Sequence, residues 1–405
     1  QSWGEGAREG NSERGVPRRM SDSEEERYGE EEEVEQNISS SSVMQKFRVA
    51  GSISDEAIKL AIRLCQDGAR VAEICEACDN FIREETGKLF PRQKTIMKGL
   101  AFPTCLSINN IVSHFSPFED DETILRTGDV VKIDLGVQVD KFPALAATTT
   151  VVGFEQERVT GRKADLLAAT EAVAKAAARL VRVGNKSSDL GPVLAKIAES
   201  FQCNLVEGVL SHNMGRGVLD GEQVILLKPT PTQSSAEFTF EANSVFHIDL
   251  VLSTGEGKPK DIGIKSTVFK KTDVTYSLRI KASRTLFKEV NQKIGPFGFS
   301  LRGVESKNAR LGINECVQHG LVHAYPVLAE KDGEFVAQIK FTVLIQPTGT
   351  ARITQFPLPS FTSEHKIQDA EITALLNSAE STNKKKKKKQ KKKKSAAGGA
   401  GSSSA

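Results

Sequence analysis

The chain is 405 residues long, 39% hydrophobic, and carries a formal net charge of +3. No apolar run approaches the roughly 20 residues that cross a bilayer, so the sequence argues against membrane insertion. The six cysteines have no framework spacing. They predict buried thiols in a reducing compartment rather than a disulfide scaffold.

Charge is concentrated near the two ends of the chain. The acidic segment (residues 22–35) lies within residues 20–40, where nine acidic residues against one arginine give a net charge of −8. Such runs cannot bury apolar surface, so they predict disordered interaction tails. The lysine segment (residues 384–394) has a net charge of +10 and consists of one glutamine and ten lysines: Lys384, Lys385, Lys386, Lys387, Lys388, Lys389, Lys391, Lys392, Lys393 and Lys394.

Between the tails, hydrophobic periodicity predicts both helices and strands. The predicted helices cover about residues 54–68, 72–86, 163–183, 188–201, 283–294 and 306–321. The predicted strands cover about residues 129–140, 144–152, 204–210, 223–227, 245–252, 265–271, 324–329 and 334–346. Hairpins segregated from helices indicate an α+β fold. We expect one domain over about residues 43–365, with flanking regions 1–42 and 366–405.

The predicted strand at 129–140 places a carboxylate on a face of its own. Apolar residues occupy alternate positions from 131 to 139, so Asp134 points to the opposite face, toward a pocket or solvent. A turn near Asp140 and Lys141 should return the chain, so positions near 145 should lie opposite Asp134 in a hairpin.

Five segments, in chain order, resemble those of the methionine aminopeptidases. They are AFPTCLSINNIVSHFSP (101–117), VKIDLG (131–136), GVLSHNMGRGVLDG (208–221), VFHIDLVLSTGEG (245–257) and FVAQIKFTVLIQP (335–347). The resemblance covers about 250 residues. It implies the pita-bread fold, in the form of the type-two branch of that family.

The active family binds two divalent ions through two aspartates, one histidine and two glutamates, and the ions activate a water for peptide hydrolysis. By position, the resemblance implies that these five ligands correspond to Asp134, Leu145, His212, Asp249 and Lys340 of this sequence. It also carries the histidine that contacts the substrate onto His114, and a further histidine onto Asp220.

The charges at these positions oppose metal binding. Leucine offers no lone pair, and at an effective dielectric of 20 an ammonium about 4 Å from a dication costs roughly 8 kcal/mol. The sequence therefore predicts Lys340 paired with Asp134 and Asp249, and an inactive enzyme homologue without a metal cofactor. An active metal-dependent aminopeptidase is the less favoured alternative.

The combination of this fold, lost metal ligands and a lysine-rich tail resembles that of the proliferation-associated, ErbB-receptor-binding proteins. That resemblance implies a monomeric protein that associates with structured RNA and with ribosomal or pre-ribosomal particles. It also implies pools in the cytoplasm, the nucleus and the nucleolus, and a role in growth through rRNA processing, translation or transcription.

A basic stretch lies within the region at about 255–322 that the resemblance identifies as an insert. Phosphate contacts would supply affinity for RNA, and the interleaved Phe269, Tyr276 and Phe287 could stack on bases. The alternative is a solvated basic face with the three aromatic side chains in the core. The cations are Lys258, Lys260, Lys265, Lys270, Lys271, Arg279, Lys281, Arg284 and Lys288.

Two features of the C-terminal region also have two interpretations. The lysine segment is typical of a nuclear or nucleolar address and of a non-specific RNA-binding tail, or else it is a solubilising tail. Residues 366–379 form an amphipathic stretch, and within it residues 371–379 (EITALLNSA) resemble a leucine-rich coregulator helix, with Ile372 in place of its first leucine; a plain amphipathic helix is the alternative. A transcriptional co-regulator that binds protein partners through 366–379 is therefore the alternative function.

Overall fold

The computed structural model describes residues 37–93, 95–154 and 156–380, so the acidic and lysine segments lie outside the described residues. The helices are α1 Ser41–Leu64, α2 Val71–Gly87, α3 Gly161–Leu180, α4 Leu190–Glu199, α5 Lys281–Glu289, α6 Ala309–Gln318 and α7 Ala370–Asn377. The strands are β1 Lys98–Ile108, β2 Val130–Val139, β3 Phe142–Val151, β4 Asn204–Leu205, β5 Leu210–Met214, β6 Val224–Leu226, β7 Ser244–Ser253, β8 Lys260–Asp261, β9 Val268–Lys271, β10 Gly298–Ser300, β11 Val322–Ala324, β12 Leu328–Ala329, β13 Val336–Gln346 and β14 Gly349–Arg352.

One large sheet organises the described residues. Its strand order is β1-β2-β3-β13-β7-β5-β6, with β14 paired to β13 and β4 paired to β7. The hairpin of β2 and β3 turns at Asp140 and Lys141, which both have positive φ angles of 54° and 64°. The two halves of the sheet meet where β3 and β13 pair, at Ala147 and Lys340. Lys340 therefore occupies the central seam of the sheet.

Helices pack on one face of this sheet. Alternate residues of β2, from Val131 to Val139, form a core with α1 and α2. Alternate residues of β13, from Ala337 to Ile345, form a second core with α3 and α4. Because side chains alternate along a strand, the residues between them point to the other face. The predicted alternation of β2 is confirmed, and it directs Asp134 away from the helices.

A smaller lobe, the insert lobe, comprises β9, α5, β10, α6 and β11. Its sheet has the order β10-β9-β11, and α5 and α6 pack on it through a separate core that includes Phe269, Leu286 and Ile313. Arg302 attaches the lobe to α2 through an ion pair with Asp79, with 2.8 Å between the atoms and both side chains buried. Removing one partner of such a pair typically costs about 3–5 kcal/mol.

The first helix begins much earlier than the sequence predicted, at Ser41 rather than Ser54. Tertiary packing extends it, because Val43 and Phe47 are buried against the sheet. Gly51 lies within this helix and is needed for close packing. A Cβ at that position would lie 2.5 Å from the carbonyl oxygen of Ile353. The helix crosses the β13–β14 hairpin closely there, and glycine makes that approach possible.

Other boundaries also differ. The strand expected at 204–210 is only β4, the strand expected at 265–271 begins at Val268, and the strand expected at 324–329 is two short strands, β11 and β12. These strands pair over only two or three residues, so local sequence carried little signal for them. No helix in the described part of the chain is long and apolar enough to cross a membrane.

Helix α7 belongs to the body of the protein. Ile372 is buried, and Leu375 and Leu376 pack against the core that α3 and α4 form. The apolar residues of the coregulator-like segment 366–379 therefore already have an intramolecular partner, which weakens the interpretation of this segment as a docking helix.

Candidate functional site

The site is built from one face of four neighbouring strands. Lys340 on β13 pairs across the sheet with Asp249 on β7 and with Ala147 on β3. Asp134 on β2 also pairs with Ala147. Two carboxylates therefore flank one lysine at the point where the two halves of the sheet meet.

The ion pair predicted from the sequence is present. The ammonium nitrogen of Lys340 lies 2.6 Å from Asp134 Oδ2 and 3.1 Å from Asp249 Oδ2. The Lys340 side chain is only 8% exposed, so this charge is largely removed from water and lies against two carboxylates. Gln338 Nε2 donates a hydrogen bond to the other oxygen of Asp249, at 2.9 Å.

The charges hold one another in place. Burial alone would lower the pKa of Lys340, but attraction first to Asp134 and then to Asp249 outweighs burial and raises that pKa above its ordinary value. Burial raises the pKa of Asp249, and the Lys340 ammonium opposes that rise. Lys340 is therefore protonated throughout the physiological pH range.

This donor set does not fit a pair of divalent ions. The Lys340 ammonium lies within hydrogen-bond distance of Asp134, at the place where a metal would have to bind that carboxylate. Leu145 presents only carbon, and it packs over Gly136, where an added Cβ would lie 2.4 Å from Leu145 Cδ2. Among the described residues, no group of three or more His, Cys, Asp or Glu side chains is arranged to hold a metal ion.

A cavity of about 440 Å³ lies above these residues. Its wall includes Leu145, Asp249 and Lys340, and also His114, His212 and Asp220. Of the residues that the resemblance assigned, all but Asp134 line this one cavity, and Asp134 is ion-paired with Lys340. His212 lies on β5, and its Nδ1 is 3.0 Å from the carbonyl oxygen of Gly221, so this side chain holds the loop between β5 and β6.

Sequence reasoning missed several residues of this cavity, among them His247, Tyr325 and Gln338. Two of them could have been found, because His247 lies two positions before Asp249 and Gln338 two positions before Lys340, on the same faces of β7 and β13. His247 Nδ1 and Gln338 Oε1 are buried without a hydrogen-bond partner. Tyr325 follows β11, so only the tertiary structure brings it to the cavity.

The titration of His114 tests whether this pocket shields its side chains from water. Burial, followed by repulsion from the Lys340 ammonium, lowers the pKa of His114 to about 4. The ordinary value is about 6.5, so the unfolded chain binds the proton more tightly. This histidine therefore contributes stability above about pH 6.5 that is lost as the pH falls toward 4. We expect an NMR titration of the His114 ring to have its midpoint well below pH 6. A midpoint near 6.5 would show that the pocket is open to water.

The predicted RNA-binding cations belong to the insert lobe and to the chain that leads into it. Lys281, Arg284 and Lys288 are exposed and fall at helical spacings of three and four on α5, so they share one face. Lys258, Lys260, Lys265 and Arg279 are also exposed. By contrast, Lys270 is ion-paired with Asp220 and its side chain is 17% exposed.

The aromatic residues of the stretch do not form a free stacking platform. Phe269 is buried in the core of the insert lobe, and Phe287 packs against that core. Tyr276 is stacked on His319, with ring centroids 3.7 Å apart. For these three residues the alternative interpretation, aromatic side chains in the core under a basic face, fits the structure better.

Comparison with known proteins agrees with this fold. Residues 45–274 match the model of metallopeptidase family M24. ErbB-3 binding protein 1 of Solanum tuberosum is 44% identical over 83% of this chain and 88% of its own length. The curved DNA-binding protein of Schizosaccharomyces pombe is 40% identical over 85% of this chain and 92% of its own length. A solved structure of a thermophilic Arx1 has a TM-score of 0.80 and 28% identity, and the match covers 85% of this chain and all of that chain.

The chain belongs to metallopeptidase family M24 and has its pita-bread fold. Within that family it groups with the ErbB-3-binding and proliferation-associated proteins. The family resemblance and the fold predicted from the sequence are both confirmed.

Proposed function

We propose that this protein is a non-catalytic member of the aminopeptidase fold that binds structured RNA and ribosomal or pre-ribosomal particles. It acts in growth control through rRNA processing, translation or transcription, in the cytoplasm and in the nucleus, including the nucleolus. The observation that carries the non-catalytic part is the buried Lys340 ammonium between Asp134 and Asp249. An ammonium at that position repels the ions on which peptide hydrolysis by this fold depends.

We expect no aminopeptidase activity with cobalt, manganese, iron or zinc supplied. Leu145 removes an oxygen ligand, and Lys340 occupies the space between the carboxylates. The measurement is release of methionine from a methionyl peptide by the purified protein. Turnover that disappears in the His212→Ala variant would contradict this expectation, because it would require a working metal site.

The RNA-binding part of the proposal rests on charge and on relatives. The exposed face of α5 carries Lys281, Arg284 and Lys288, and the lysine segment adds ten further cations. Lysine and arginine supply affinity for phosphate without reading sequence. A relative that is named for binding curved DNA supports nucleic acid as the ligand class.

Deleting the lysine segment distinguishes the contribution of the tail to RNA binding from that of the folded body. We expect this deletion to weaken RNA binding and to lower its dependence on salt, by about 0.7 of a slope unit for each lost phosphate contact on single strands. The preference among RNAs should persist if the insert lobe positions the ligand. The measurement is cosedimentation with ribosomes at two salt concentrations, with crosslinking and sequencing of the bound RNA. If the deletion removes all association, the folded domain is not the RNA-binding element.

A further inference from the structure

Aromatic side chains line the cavity of the candidate site from two sides. On one side, the Phe102 ring of β1 has its centroid 5.3 Å from that of Tyr325 and 5.9 Å from that of His114. On the other side, the His212 ring of β5 and the His247 ring of β7 have centroids 5.6 Å apart. All five side chains line the cavity, and its volume of about 440 Å³ is typical of small-ligand sites. These walls suit a flat aromatic ligand.

The base of this cavity offers no free carboxylate oxygen to a ligand that carries an ammonium group. Asp249 accepts a hydrogen bond from Gln338 Nε2 through Oδ1, and its Oδ2 lies 3.1 Å from the Lys340 ammonium. Lys340 lines the cavity, whereas Asp134 does not. A ligand with a charged amine would therefore meet the Lys340 ammonium, and like charges repel each other. The cavity favours an uncharged ligand.

Polar groups at the base of the cavity are left without partners. Gln338 Oε1 and His247 Nδ1 are buried and have no hydrogen-bond partner among the described residues, and both side chains line the cavity. An ammonium has three N–H donors, and Asp134 and Asp249 take up two of those of Lys340. Gln338 lies two positions before Lys340 on the same face of β13. An acceptor therefore lies beside a donor, and a ligand that satisfies both recovers the free energy lost by burying them unpaired.

The cavity also lies beside the cations that we propose to contact RNA. Asp220 lines the cavity and is ion-paired with Lys270 of the insert lobe. Pro259 lines it as well, and this residue lies between the exposed Lys258 and Lys260. Because phosphate contacts fix the position of a nucleic-acid strand, phosphates bound by these cations would bring the bases of that strand close to the cavity.

We propose that this cavity binds one unpaired nucleobase of a bound RNA. The base stacks on the aromatic walls, and its edge accepts a hydrogen bond from the Lys340 ammonium and donates one to Gln338 Oε1. Each of the four bases is uncharged and has a donor and an acceptor on adjacent atoms of its Watson–Crick edge. The inference rests on the proposed RNA binding, and it assigns the cavity a ligand class other than the peptides that active members of this fold hydrolyse.

The cavity is tested first with free nucleosides and the full-length protein, labelled with ¹⁵N in its histidine rings. Adenosine, cytidine, guanosine and uridine are titrated one at a time, and the ring signals are followed by NMR. We expect at least one nucleoside to shift the signals of His114 and His247 but not those of His319 and His365, which lie outside the cavity. Ribose and methioninamide should shift none of them. The proposal is overturned if no nucleoside shifts the two cavity signals, or if methioninamide shifts them as strongly.

Two substitutions in the cavity and two matched controls locate the bound nucleoside. Gln338→Met removes the unpaired acceptor and should weaken binding about tenfold, because the base loses a buried hydrogen bond. Val209→Trp fills the cavity from its wall and should abolish binding. The controls are Gln346→Met, on the same strand but outside the cavity, and Val183→Trp, at a position that is 50% exposed. Both controls should bind like the unchanged protein, and thermal unfolding shows whether each variant is folded. Unchanged binding in folded Gln338→Met and Val209→Trp variants would place the nucleoside elsewhere and overturn the proposal.

The contribution of a base within a strand is measured with a fluorescein-labelled single-stranded RNA at two salt concentrations. Val209→Trp should lower affinity about tenfold, the loss of one stacked base, and should leave the salt slope unchanged because the phosphate contacts remain. A variant with Lys281→Glu, Arg284→Glu and Lys288→Glu should instead lower the slope. If Val209→Trp binds the RNA as the unchanged protein does, the base does not enter the cavity, and this inference fails while the proposed RNA binding stands. If no form binds the RNA, both fail.

Discussion

The Lys340→Glu variant is expected to lose about 3–5 kcal/mol of stability, the range measured when one partner of a buried ion pair is removed. The substitution places a third carboxylate beside Asp134 and Asp249 in a region where the Lys340 side chain is 8% exposed. Like charges at this distance raise each other's pKa, so the folded variant binds protons that the unfolded chain releases. The stability lost by the variant should therefore shrink as the pH falls toward 4. Chemical unfolding in metal-free buffer measures both effects.

A matched variant distinguishes the effect of charge on stability from the effect of side-chain packing. Lys340→Met combined with Asp134→Asn and Asp249→Asn removes all three charges and retains similar side-chain volumes. Such replacements are often close to neutral or even stabilising, so the triple variant should unfold near the unchanged protein. An unchanged midpoint for Lys340→Glu alone would show that Lys340 does not hold the two carboxylates together. Activity should not return in Lys340→Glu, because Leu145 still supplies no oxygen ligand.

Reversing the charge of the insert lobe and of the chain that leads into it is expected to abolish ribosome association even when the lysine segment is present. Changing Lys258, Lys260, Lys265, Lys270 and Lys271 to glutamate turns attraction into repulsion across the proposed docking face. Because Lys270 is ion-paired with Asp220, a second variant limited to α5 avoids disturbing that contact. It carries the changes Lys281→Glu, Arg284→Glu and Lys288→Glu at exposed positions. Cosedimentation at two salt concentrations is the measurement.

The control makes the same change of charge outside the insert lobe. Lys59, Lys88, Lys175, Lys186 and Lys196 are exposed and lie on or beside the helices α1 to α4. Their replacement by glutamate alters the net charge equally but should retain association. If both sets of substitutions reduce association by the same factor, the effect is one of net charge and the insert lobe has no special role.

Much of the fold followed from local pattern. The alternation of β2 placed Asp134 on the face opposite the helices, and the turn at Asp140 and Lys141 formed the expected hairpin. The start of α1 could not be predicted in the same way. Residues 41–53 contain serines and a glycine that favour a linker, and only contacts with Leu344 and Ile353, which lie some 300 residues later, make them helical.

The sequence by itself determined the family, the opposite charges of the tails and the residues at the centre of the sheet, because side-chain chemistry at aligned positions can be recognised without coordinates. The pairing of Lys340 with Asp134 and Asp249 was predicted from the sequence, but only the tertiary structure decided its distances of 2.6 and 3.1 Å and the burial of the Lys340 side chain. Only the tertiary structure showed that Phe269 is buried rather than available to RNA, and that Ile372 is buried rather than available to a protein partner. The physical reason is the same in each case. Whether a side chain is paired or buried depends on residues far away in the chain, and local periodicity carries no information about them.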